Sequence, residues 1–137
     1  MKVTKFRIVA AAAVVLFVVG AGVQAQYAQT APSVKRTILL KQDMTIPDRE
    51  AVMVIVDLPP GAAEGRHTHS AEVFVFVQEG TITLENEGKP DTTLKAGDTF
   101  TYAPGKYHQV INKGNSPVKL AAVFIAEKGK PLTTPVK

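Results

Sequence analysis

Glycine and proline cut the sequence into short runs rich in β-branched and aromatic residues, at intervals of about 8 to 12 residues. That punctuation excludes most folds. The runs are Thr37–Lys41, Met53–Leu58, Val73–Val77, Thr81–Glu85, Thr92–Leu94, Thr99–Tyr102, Tyr107–Ile111 and Val118–Ala126. Pro59-Pro60-Gly61, Glu79-Gly80, Asn86–Pro90, Ala96-Gly97-Asp98, Ala103-Pro104-Gly105 and Asn112–Pro117 separate them as turns. Beyond the first residues no segment sustains a helical period. The pattern predicts an all-β sandwich or closed barrel over residues 37–127.

The two ends read differently. Lys2, Lys5 and Arg7 precede an uncharged apolar run from Ile8 to Val23, and Val23-Gln24-Ala25 suits a cleavage site. This is the layout of a secretory signal peptide over residues 1–25, with export to the periplasm or the medium. An anchor kept in the membrane is the alternative, although the run falls short of the roughly 20 residues a spanning helix needs. Residues 26–36 read as a polar lead-in, and residues 128–137, with Pro131 and Pro135, as a flexible tail.

Three of the 16 basic residues lie in the leader, so 13 face 12 acidic residues in the remainder, a net charge of +1. No basic tract is left to attract nucleic acid or a membrane surface. There is no cysteine, hence no disulfide and no thiolate ligand. A metal held here must accept imidazole and oxygen, which points to iron, manganese, nickel, copper or zinc.

The stretch from Gly61 to Gly80, GAAEGRHTHSAEVFVFVQEG, places His67 and His69 two residues apart before a strand. Side chains at i and i+2 of a strand share a face, so both imidazoles enter the same space. His108 is the third and last histidine. Together they predict a three-imidazole site for one divalent transition metal, with coordination positions left open for water, substrate or dioxygen. The competing reading is three polar residues without a common partner.

The Gly61–Gly80 stretch resembles the first cupin motif, G-x5-H-x-H-x3-4-E-x6-G, with Gly61, His67, His69 and Gly80 in frame. Gly97–Asn112 resembles the second, G-x5-P-x-G-x2-H-x3-N, through Gly97, Gly105, His108 and Asn112, with Ala103 at the first proline. The resemblance covers roughly Met53 to Ile125. It implies a single jelly-roll β-barrel, a divalent metal held by the three histidines, and pairing into a homodimer. One departure concerns the usual glutamate ligand, whose place is taken by Val73, with Glu72 one residue earlier. On a regular strand 67, 69 and 73 share a face and Glu72 points away. Only a bulge near Ser70-Ala71 would bring Glu72 in as a fourth ligand.

The expected function is a metal-dependent enzyme acting on a small molecule. Oxygenase chemistry is the commonest that the resemblance implies for small members, with lyase or isomerase chemistry open to the same ligands. The alternative is a non-catalytic protein that binds metal or a small ligand. No catalytic residue can be assigned: Glu72 is the one carboxylate seen near the site, and Tyr102 and Tyr107 stand as candidate acids. Asn112 reads as a turn residue at the end of the His108 strand.

Overall fold

In the computed structural model, residues 32–137 are described; the expected signal peptide and the lead-in before Pro32 lie outside them. Ten strands follow: β1 (Lys35–Asp43), β2 (Arg49–Leu58), β3 (His67–Thr68), β4 (Ala71–Glu79), β5 (Thr81–Asn86), β6 (Thr92–Lys95), β7 (Thr99–Tyr102), β8 (His108–Ile111), β9 (Val118–Glu127) and β10 (Thr134–Pro135). They form two five-stranded sheets, ordered β1-β2-β9-β4-β7 and β10-β3-β8-β5-β6. Every pairing between the named strands is antiparallel. This is the expected all-β jelly roll. Each of the eight runs read from the sequence contains or overlaps a strand.

Period-two alternation explains which face is buried. In β4, Ala71, Val73, Val75 and Val77 are buried while Glu72, Phe74 and Phe76 are exposed. Val52, Val54, Val56 and Leu58 of β2 face the same interior. Burying a valine fully contributes about 1.5–3 kcal/mol, so these rows hold the sheets together. β9, apolar on both faces in the sequence, runs between β2 and β4 and pairs with β2 from Arg49↔Glu127 to Leu58↔Val118. Phe74 and Phe76 do not pack between the sheets; they are 50% and 44% exposed on the outer face.

The segment expected to be a loose tail is anchored. Thr134 and Pro135 pair with Thr68 and His67, and the Val136 N–H donates to the Arg66 carbonyl at 2.9 Å. The Ser70 hydroxyl donates to the Pro131 carbonyl at 2.9 Å. Two prolines argued against regular structure, but Pro at the end of a two-residue edge strand loses little of the ladder.

Gly80, between β4 and β5, adopts φ +83°, and a Cβ there would lie 2.7 Å from both the Pro117 carbonyl oxygen and Val118 Cγ2. Gly80→Ala is expected to lower the unfolding free energy by about 1–3 kcal/mol, through backbone strain and that contact, as read by urea denaturation.

Candidate metal centre

His67 opens β3 and stands directly opposite His108, the first residue of β8. His69 lies two residues further on, at the corner where the chain leaves this sheet to begin β4 in the other. The spacing and the strand pairing bring all three rings together. Their centroids are 4.6 Å (67–108), 4.7 Å (69–108) and 4.8 Å (67–69) apart. One nitrogen from each ring lies within 4.8 Å of the others. All three residues are buried, His108 to 1% exposure.

Each ring is oriented by a backbone carbonyl. Nδ1 of His67 meets the Gly65 oxygen at 2.7 Å, Nδ1 of His69 the Leu132 oxygen at 2.6 Å, and Nδ1 of His108 the Lys106 oxygen at 3.1 Å. A carbonyl can only accept, so Nδ1 carries the proton and Nε2 keeps its lone pair. His108 Nε2 is buried without a hydrogen-bond partner among the described residues. A buried acceptor left unpaired costs about 1–3 kcal/mol, and a cation is the partner that three such lone pairs suit. The set fits one divalent transition metal ion.

Burial holds the His69 imidazole down to about 4 and that of His108 to about 3, with the neighbouring histidine rings adding to the effect. The unfolded chain takes up protons on these rings near their ordinary 6.5, the folded chain only near 4 and 3. Protons therefore favour unfolding in that interval. The metal-free protein should be most stable above about pH 6.5 and lose stability steadily as pH falls toward 4, giving a lower urea midpoint at about pH 5 than at about pH 7.

Glu72 does not join the cluster. β4 pairs with β9 without a bulge at this end, Ala71↔Ala126 and Glu72↔Ile125, so the register slip that would have turned Glu72 inward is absent. Val73, fully buried, occupies the cavity face instead. Glu72→Gln is expected to leave metal affinity within about twofold of the unaltered protein in a competition titration against a chelator.

His67 and His69 line a cavity of about 290 Å³ between the sheets, with His108 behind them, under the stacked ring of Tyr102. Its walls are chiefly apolar, with Val54, Val56, Val75, Leu120 and Phe124 among them. Tyr102 lies on the cavity wall, stacked on His108 with ring centroids 3.3 Å apart and planes at 14°. Its hydroxyl is buried without a partner among the described residues, and burial, aided by the charge of Glu64, pushes its pKa well above 10. It stays protonated. Tyr107, the other candidate acid, lies elsewhere, its ring facing the Arg66 guanidinium.

A carboxylate that sequence reasoning missed faces this cavity. Glu64 lies three residues before His67, its side chain only 7% exposed, and Arg36 of β1 holds its Oε1 at 3.0 Å. The Glu64 N–H donates to the Val110 carbonyl and Ala63 bridges to Ile111, so this loop runs as an extended ribbon along β8. Residues 64 and 67 would face opposite sides of an unbroken strand. Gly65, at φ +77°, breaks the alternation and turns both toward the cavity. The glycine was visible in the sequence; that the loop is extended was not.

A family model for the cupin domain matches residues 54–124, and the chain belongs to that family. Among known proteins it resembles germin-like protein subfamily 2 member 1 of Arabidopsis thaliana, 36% identical over 89 residues that cover 59% of this chain and 41% of the relative. The chain thus spans less than half the length of that relative. Two solved structures share the fold. A conserved protein with a double-stranded beta-helix domain from Klebsiella pneumoniae superposes with a TM-score of 0.63 at 22% identity, covering 77% of this chain and 88% of that one. A DMSP lyase from Ruegeria pomeroyi superposes with a TM-score of 0.65 at 18% identity, covering 75% and 51%.

Proposed function

We propose that this cupin is exported, holds one divalent transition metal ion through Nε2 of His67, His69 and His108, and acts as an oxygenase-type enzyme on a small molecule. One observation carries the reading: three imidazoles, each fixed by a carbonyl at Nδ1, present their free nitrogens together beside an apolar cavity. When bound, the ion supplies Lewis-acid polarisation and, if redox-active, electron transfer at its open positions. The chain's own residues do the rest. The valines and Phe124 exclude water, Tyr102 on the cavity wall keeps its proton, and Glu64 offers a carboxylate paired with Arg36.

That carboxylate favours a second reading, lyase or isomerase chemistry. Proton transfer requires a base within reach of the substrate, and Glu64 is a buried one facing the same cavity. Two germane resemblances, to a germin-like protein and to a DMSP lyase, are compatible with either.

Metal analysis of the exported chain, followed by oxygen uptake with a panel of phenols, diketones and thiols, tests the proposal. About one equivalent of metal and metal-dependent oxygen uptake are expected. Metal without uptake, but with metal-dependent turnover of the panel, favours the second reading; metal with no turnover favours a non-catalytic binding protein. A chain that takes up none of the five candidate metals contradicts all three.

A further inference from the structure

The Arg36–Glu64 pair stands where the inner cavity meets an outer cleft of the surface. Both residues line both spaces, together with His67 and Thr133. Arg36 reaches the cavity because it shares a face with Ile38 on β1, opposite Val56 of β2. Its side chain is 42% exposed, while that of Glu64 is 7% exposed. Behind this pair the walls are apolar as far as the histidines. Anything entering from the cleft passes Arg66, which is paired with Glu85, then meets the Arg36 guanidinium and the Glu64 carboxylate before a greasy chamber.

The charges decide what enters best. Imidazoles that coordinate through a lone pair bring no charge of their own, and Glu64 is paired with Arg36, so a divalent ion on the histidines would leave two positive charges uncompensated inside the protein. A cation is repelled there. A neutral molecule gains only the weaker contact of an uncharged acceptor with the guanidinium, without the ion pair. An anion is drawn in, and a guanidinium fork matches a carboxylate with two parallel charge-assisted hydrogen bonds, while the apolar walls behind it suit a hydrocarbon tail rather than a polyanion.

We propose that the cavity takes a small monocarboxylate with a short apolar tail, its carboxylate exchanging with that of Glu64 on Arg36 and its tail lying along Val54, Val56 and Phe124 toward the histidines. This rests on the cavity being the substrate site of the proposed metal centre. At about 290 Å³ it holds an acid of roughly six carbons, allowing about 30 Å³ for each water-sized group. Glu64 acts as an internal competitor: it keeps Arg36 paired when the cavity is empty and is released when ligand arrives.

Isothermal titration calorimetry of the zinc-loaded mature chain, with hexanoate and hexanamide as probes, tests this. The two differ in charge but hardly in shape. Hexanoate should bind at least about tenfold more tightly than hexanamide. Arg36→Gln should weaken hexanoate by about tenfold and leave hexanamide unchanged, while Arg36→Lys, which keeps the charge without the fork, should fall between. Glu64→Gln should tighten hexanoate several-fold by removing the competitor. A salt bridge that only braces the fold would move neither probe in this way. Equal affinity for the two probes, an Arg36→Gln variant that binds hexanoate as before, or weaker hexanoate binding in Glu64→Gln would each overturn the proposal. Zinc content is counted before each titration, which separates the two readings. Zinc without acid preference overturns the carboxylate site alone; acid preference through Arg36 without zinc supports that site and overturns the metal centre.

Discussion

His108→Ala is expected to abolish metal retention, with affinity falling by at least about a hundredfold, because even removing a partner that merely orients a ligand costs 10–100-fold. The same change should cost the metal-free fold little. His108 is the most deeply buried of the three, and its Nε2 has no partner among the described residues. Deleting that ring loses packing against Tyr102 but also removes an unsatisfied buried acceptor, worth about 1–3 kcal/mol in the opposite direction. Metal content by mass spectrometry and urea midpoints in the presence of a chelator measure the two halves. A residue kept for stability would show the reverse: a large loss of midpoint and an unchanged metal content.

Asn112→Ala should do the opposite, leaving the metal ligands intact and destabilising the whole fold. Asn112 is 1% exposed. Its two amide hydrogens are shared among the carbonyls of Leu58 (3.1 Å), Pro59 (3.1 Å) and Ser116 (2.8 Å), and its Oδ1 accepts the Gly114 N–H at 3.0 Å. One side chain thereby ties the end of β2 to the loop between β8 and β9. Alanine leaves several buried polar groups unpaired, for a loss of about 3 kcal/mol. In a domain of about 100 residues this corresponds to a drop in Tm of about 10–20 °C. Asn112→Asp should fare no better, since it presents an oxygen to three carbonyl oxygens.

Asn112 also marks how far the sequence could be read. Its place at the end of the His108 strand indicated a turn hydrogen bond, and the structure shows that bond and three more. The strand alternation in AEVFVFVQE was legible because a half-buried strand has no freedom about which face is apolar, which puts Val73 inside and Glu72 outside. The convergence of His67, His69 and His108 was legible from i, i+2 parity and two motifs in the right order. What could not be read depends on contacts between distant segments. The carbonyl that orients His69 comes from Leu132, 63 residues away, in a segment whose two prolines suggested a free end. The ion pair of Glu64 comes from Arg36, 28 residues earlier. Glu64 itself sits in a stretch with no strand pattern of its own, extended only because β8 lends it hydrogen bonds.

The most direct measurement is X-ray absorption on the chain loaded with one equivalent of zinc. Three imidazole nitrogens at about 2.0–2.1 Å, with the remaining coordination supplied by solvent or ligand, is the result expected from the arrangement of His67, His69 and His108. A first shell with fewer than three imidazoles, or one dominated by carboxylate oxygen, would contradict it.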